Sequence, residues 1–297
     1  MGPARVRRRL TGGARRGSLW RSARILVALG VPSGGLLGSV LVRTVQAQTG
    51  AASGVMPGTN ATTWLSYDGD HPLGGRLGTR WKLFLDASAR RAEGPGGFCE
   101  WQQVEALVGG TVALTRRLSV SAGPAIVRTY AYGERPLPGP EPERRVWEQL
   151  QWAWRAGPFT GTFRGRVEHR WIAHSEPTAG LTAISSAADG RAWRYTARAV
   201  PELRATLPLG RPGAGNAREA TGRWYATTAL EGFGRLTGGE RYIEQTRETV
   251  ALGRHVSATT RVELGYLHQS LYDAPGQMRE RSHTALLVVR SAVPLSR

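Results

Sequence analysis

Residues 79–90 read Thr79-Arg-Trp-Lys-Leu-Phe-Leu-Asp-Ala-Ser-Ala-Arg90, and apart from Thr79 and Phe84 apolar and polar residues alternate along it. Thr79, Trp81, Leu83, Leu85, Ala87 and Ala89 share one parity; Arg80, Lys82, Phe84, Asp86, Ser88 and Arg90 share the other. Alternation with period two places the sets on opposite faces of a β-strand, since successive side chains point to opposite sides of a pleated backbone. Residues 160–170 repeat the pattern, with Phe163, Val167, His169 and the following Trp171 alternating with Arg164, Arg166, Glu168 and Arg170. Working outward, 60–68, 101–114, 118–132, 144–155, 191–204, 222–235, 241–253, 259–273 and 282–293 follow the same rule less cleanly.

These stretches run to about 10–16 residues, whereas strands in soluble sheets average about 5–6 and tilted membrane-crossing strands need about 9–11. Length therefore favours a transmembrane barrel, in which a closed sheet satisfies every backbone group between strands. The connections alternate as well. Residues 115–117, 157–158 and 255–258 are tight turns; 92–100, 133–143, 174–190 and 274–281 are longer and rich in Pro, Gly or charge, the asymmetry of bacterial barrels. Segment 207–221 breaks that rule. Trp152, Trp154, Trp171, Trp193 and Trp224 fall near strand ends, where interfacial aromatic girdles belong. The pattern predicts an all-β, up-and-down antiparallel transmembrane β-barrel. Eleven stretches are visible, and an even number is required if both ends lie in the periplasm, so ten or twelve strands are expected.

The first 47 residues read as an export signal. Nine arginines and no acid stand there. Eight of the arginines, Arg5 to Arg24, form a basic leader. The apolar run Ile25–Val42 follows, and Val45-Gln46-Ala47 offers small residues where signal peptidase reads, so cleavage is expected after Ala47. The expected organisation is a signal peptide over 1–47, a short mature segment over 48–59 and a barrel over 60–297. The formal charge of +18 drops to 31 basic against 22 acidic residues once the leader is removed. Those charges alternate with apolar residues rather than forming runs, which argues against nucleic-acid binding. The single cysteine, Cys99, excludes a disulfide framework. No Ser lies in a G-x-S-x-G elbow, and His169, His255, His268 and His283 form no metal-spacing pair. No catalytic residue, cofactor or metal is expected.

With Trp81 and Val167 toward lipid, the lumen collects Arg145, Gln149, Arg164, Arg166, Glu168, Arg170, Arg194, Arg198, Glu231, Gln245, Arg247 and Glu263. Desolvated arginines need partners, and Glu168, Glu231 and Glu263 are placed to supply fork-to-carboxylate pairs. The functions this supports are a plugged barrel with a structural or interaction role, a small anion-preferring pore, an outer-membrane lipid-acting enzyme, or a soluble periplasmic β-protein. The expected partners are outer-membrane lipid and the barrel-insertion machinery; any ligand is unknown.

Five short motifs carry a family resemblance: Glu143-Arg-Arg-Val-Trp-Glu-Gln149, Arg164-Gly-Arg-Val-Glu-His-Arg170, Glu231-Gly-Phe233, Gln245-Thr-Arg247 and Glu263-Leu-Gly-Tyr266. In order and spacing the chain resembles the bacterial domain-of-unknown-function family 2490 over most of residues 60–294. The resemblance implies an exported outer-membrane barrel and supplies no mechanism. Many outer-membrane barrels end in an aromatic residue; this chain ends Val293-Pro-Leu-Ser-Arg297, with the last strand expected to finish near Val289–Ala292.

Overall fold

A computed structural model of the chain describes residues 58–75, 78–132, 139–174, 184–185, 192–210, 221–239 and 241–295. The expected signal peptide, its cleavage point and most of the segment 48–59 lie outside these residues. The strands are β1 (Gly58–Gly74), β2 (Gly78–Gly94), β3 (Gly97–Ala113), β4 (Leu118–Thr129), β5 (Glu141–Ala156), β6 (Phe159–His174), β7 (Ile184–Ser185), β8 (Ala192–Leu209), β9 (Trp224–Arg235), β10 (Ile243–His255), β11 (Thr260–Ala274) and β12 (Gln277–Ser291). Consecutive strands pair antiparallel, and β6 pairs with β8, so β7 is a two-residue appendage on β8. The ring closes through β1 and β12, in register from Gly58↔Glu280 to Gly69↔Ser291.

That last pair runs parallel, so eleven strands close the barrel and the expectation of ten or twelve is corrected. The even-number rule holds only where first and last strands meet antiparallel; a parallel seam closes an odd count. It also sends the two ends of the sheet to opposite rims. Gly58 opens β1 at the rim where β4, β6 and β9 end, called here the long-connection rim, and Ser291 closes β12 at the rim carrying the turns 114–117, 157–158 and 256–259.

The alternation explains why these residues form these strands. Along β12 the buried residues are Glu280, Ser282, Thr284, Leu286 and Val288, with exposed residues between them; along β5 they are Glu143, Arg145, Trp147 and Gln149. Exposed on the outer wall are Leu65, Trp81, Val108, Ile126, Val146, Leu150, Leu203, Leu230, Val250, Leu252, Leu264 and Leu287. Aromatic residues stand on that wall at two levels. Trp81, Trp152, Trp154, Phe159 and Trp224 lie toward the short-turn rim, and Trp101, Trp171, Trp193 and Tyr195 toward the other. Arg144 lies over Trp193 at 4.9 Å. Two carboxylates interrupt the wall: Glu148, with His169 Nε2 at 4.0 Å, and Glu248, with His268 Nδ1 at 3.9 Å.

Two expected loops are strand instead. Residues 92–100 and 274–281 belong mostly to the ends of long hairpins, β2–β3 and β11–β12. Their Pro, Gly and charge content marks strand ends that extend past the apolar belt, where alternation relaxes, and not an absence of pairing. At the opposite rim Gly157 takes φ 55° in the two-residue β5–β6 turn, the left-handed conformation such hairpins require and one a Cβ disfavours. Among the described residues no helix is long and apolar enough to cross a membrane, which leaves crossing by strands open.

Candidate functional site: the ion-paired lumen

The inward parity of most strands delivers charge to the barrel axis, where the pairs form layers. Toward the long-connection rim, Glu143 Oε1 accepts from Arg145 Nε and Arg170 Nε, both at 2.5 Å, and Oε2 accepts from Arg170 Nη2 at 3.0 Å. In the next layer Glu168 Oε2 receives Arg198 Nε at 2.8 Å and Nη2 at 2.7 Å, a forked contact, with Arg145 Nη1 at 3.4 Å. Arg145 Nη1 also donates to Glu105 Oε1 at 2.7 Å. Arg166 gives Nε and Nη2 to Gln149 Oε1 at 3.0 and 2.9 Å. Below them Arg164 bonds Glu202 and reaches Glu231 Oε1 at 2.6 Å, while Arg247 Nη1 donates to Glu231 Oε2 at 3.0 Å. Nearest the short-turn rim, Glu263 accepts from Arg290 Nε at 2.9 Å, Tyr225 Oη at 2.9 Å and Arg204 Nη1 at 3.3 Å, and Arg290 also bonds Asp68.

Several contacts reach past the neighbouring strand. Arg164 on β6 meets Glu231 on β9, and Arg204 on β8 meets Glu263 on β11. Arg166 lies 5.1 Å from the ring of Trp147 and 5.9 Å from Phe84 on β2. Trp147 is fully buried, donates Nε1 to the Pro124 carbonyl at 3.2 Å and packs on Phe84 at 4.9 Å between ring centres. Gly109 makes room for it: a Cβ there would stand 2.7 Å from Trp147 Cζ2. An apolar plug of Phe84, Leu107, Ala125 and Trp147 thus fills part of the lumen beside the charges.

Of the residues anticipated from sequence, Arg145, Arg164, Arg166, Glu168, Arg170, Arg198, Glu231, Gln245 and Arg247 line one central cavity. Gln149 joins them through Arg166, and Glu263 through Arg204 and Arg290. Arg194 stands apart in a cavity at the long-connection rim with Arg235, Tyr242 and Glu244; its Nε is buried without a hydrogen-bond partner. Asp68, Arg90, Glu105, Glu143, Glu202, Arg204 and Arg290 complete the network and were not singled out. Parity would have found them: Glu143 lies two residues before Arg145, and Glu202 and Arg204 follow Arg198 at even spacing. Ten arginines and eight carboxylates line the central cavity, so the interior is close to balanced.

Among the described residues no group of three His, Cys, Asp or Glu is placed to hold a metal ion. Cys99 is exposed on β3 and donates its thiol to the Gly96 carbonyl at 2.9 Å. On the outer wall His169 shares a hydrogen bond with Tyr195 Oη at 2.8 Å, and His283 with Tyr266 Oη at 2.5 Å. Neither histidine lies beside a serine nucleophile in these contacts. The five motifs that carry the family resemblance send their inward residues into this one network.

No curated protein matches the chain, and no solved structure does. The family described as proteins of unknown function, DUF2490, matches residues 61–280, from the fourth residue of β1 into β12. The chain, itself a β-barrel, therefore belongs to the DUF2490 family of proteins of unknown function.

Proposed function

We propose that this barrel is embedded in the bacterial outer membrane, sealed by its own side chains, with a structural or interaction role and no catalysis. The observation that carries the reading is inverted polarity. Leu, Val, Ile and Trp are exposed on the outer wall, and arginine–carboxylate pairs occupy the interior. Water would favour the reverse, because each exposed aliphatic residue forgoes about 1.5–3 kcal/mol available from burial. Lipid favours this arrangement. At about 3.3 Å per residue and a tilt near 40°, a 12-residue strand such as β4 rises about 30 Å, enough for an apolar band of about 25 Å. The two aromatic levels sit where headgroups would lie. An arginine such as Arg144 at the rim can extend its guanidinium to the interface.

The Phe84–Trp147 cluster and the ion-paired side chains that fill the interior support a plug over a pore. A near-balanced interior also gives little preference for anions, and barrels this narrow fill with side chains. The partners this reading implies are outer-membrane lipid and the insertion machinery, reached after export with cleavage following Ala47. Envelope fractionation with gel migration before and after boiling tests it. The account expects the chain in the detergent-dependent outer-membrane fraction, with a folded band that migrates differently from the boiled one. A chain that purifies without detergent contradicts it. In planar bilayers the purified protein should give no steady conductance.

A further inference from the structure

One corner of the lumen is supplied with hydrogen-bond donors and short of acceptors. Arg90 on β2 stands opposite Trp64 on β1, its guanidinium carbon 3.6 Å from the centre of the indole ring. The residue is 6% exposed, and neither Nε nor Nη2 has a hydrogen-bond partner. Its near carboxylate oxygen, Glu105 Oε2, is 3.9 Å away, while the other oxygen of Glu105 is taken by Arg145 at 2.7 Å. Trp64 Nε1 and Asn60 Nδ2 are likewise buried without acceptors, both on the inward face of β1. Arg247 lies over the same indole at 5.0 Å, its hydrogen bonds directed to Glu231 and Gln269.

Other lumen arginines set the contrast. Arg198 holds a carboxylate oxygen at 2.7 Å and Arg290 one at 2.9 Å. A desolvated guanidinium without a bonded acceptor is costly, and two guanidiniums on one indole repel. Beside them lies a cavity of 260 Å³ lined by Trp64, Arg90, Glu105, Arg247 and, toward the long-connection rim, Glu141 and Arg279.

We infer that this corner binds a singly charged oxyanion group, a carboxylate, sulfate ester or phosphodiester, carried by a small molecule that enters from the long-connection rim. An oxyanion would give Arg90 the planar, two-oxygen partner its fork fits and would accept from Trp64 Nε1. Glu105 and Glu231 nearby limit the negative charge the corner can take, which favours one charge over several. The inference rests on the barrel interior and is independent of which solvent the outer wall meets.

The test is thermal melting of the full purified chain in detergent, with sodium acetate, methyl sulfate or dimethyl phosphate exchanged against sodium chloride at constant ionic strength. At least one oxyanion should raise the midpoint saturably. Arg90→Met should abolish that response. Trp64→Phe, which keeps the ring and removes the N–H, should weaken binding about tenfold or more. Arg254→Gln, on the outer wall beside Trp224, should leave the response intact. The proposal fails if no oxyanion differs from chloride, as expected of a corner filled by water alone, or if Arg90→Met responds as the native chain does. Should Arg90→Met not fold, Trp64→Phe decides, and unchanged affinity overturns the assignment.

Discussion

Replacing Glu168 by Gln removes one negative charge and leaves the shape of the side chain in place. Arg198 is then orphaned, because Glu168 is the carboxylate it meets, at 2.7 and 2.8 Å. Arg145 keeps Glu143 and Glu105, and Arg166 keeps Gln149. The perturbation therefore concentrates on one guanidinium. Glu168 is 2% exposed and Arg198 9%, so water cannot replace the lost charge cheaply. Breaking a buried pair from one side costs about 3–5 kcal/mol. At roughly 2–4 °C per kcal/mol for a chain of this size, the midpoint should fall by about 6–20 °C. The assay is the fraction of folded band on gels after stepwise heating in detergent. Arg198→Met in the same chain supplies the control. An apolar residue over Phe233, where Arg198 now lies at 4.7 Å, leaves no unpaired cation, so the double variant should recover part of the loss. A Glu168→Gln midpoint within 1–2 °C of native, about the size of an ordinary surface change, would refute the network. So would a double variant that is merely the sum of the two single ones, since residues in direct contact should couple.

Other expectations separate packing from charge. Gly109→Ala should cost about 1–3 kcal/mol by overpacking against Trp147, whereas Gly110→Ala, where an added Cβ meets nothing within 4 Å, should be near neutral; the same melting assay compares them. Trp147→Ala should cost about 3–5 kcal/mol, because it empties a large aromatic position with no exposure. Ile126→Arg distinguishes the solvents. On a water-facing wall it should change stability by under about 0.5 kcal/mol, and on a lipid-facing wall by about 2–4 kcal/mol, read by unfolding titration in lipid vesicles. The parallel seam places Gly58 and Ser291 at opposite rims. Epitope tags inserted before Gly58 and after Leu295 should therefore differ in intact cells, one accessible and one protected.

The strands were legible because two-faced alternation is a local signal: each of the eleven stretches read from sequence overlaps one barrel strand. The closure was not. Whether β1 meets β12 parallel or antiparallel depends on a register between residues more than 200 apart in sequence, such as Ala61 and His283, and nothing local encodes it. The interior was partly legible for the same reason. Parity puts Arg164, Arg166, Glu168 and Arg170 in one row, but which partner each meets is set by β5, β8 and β9 and is not encoded within β6. Glu231 and Glu263 were named as partners of inward arginines; Glu105 and Glu143, which hold Arg145, were not. Trp147 shares the parity of Arg145 and Gln149, yet only the gap left by Gly109 explains how so large a ring fits inside.

The central claim is that alternate residues of each strand face lipid. Carbene labelling from a photoactivatable lipid in reconstituted vesicles, read residue by residue by peptide mass mapping, addresses it along β11. The account predicts label on Val262, Leu264 and Tyr266 and none on Glu263, Gly265 and Leu267. Label spread over both parities, or absent from the strand, would contradict it.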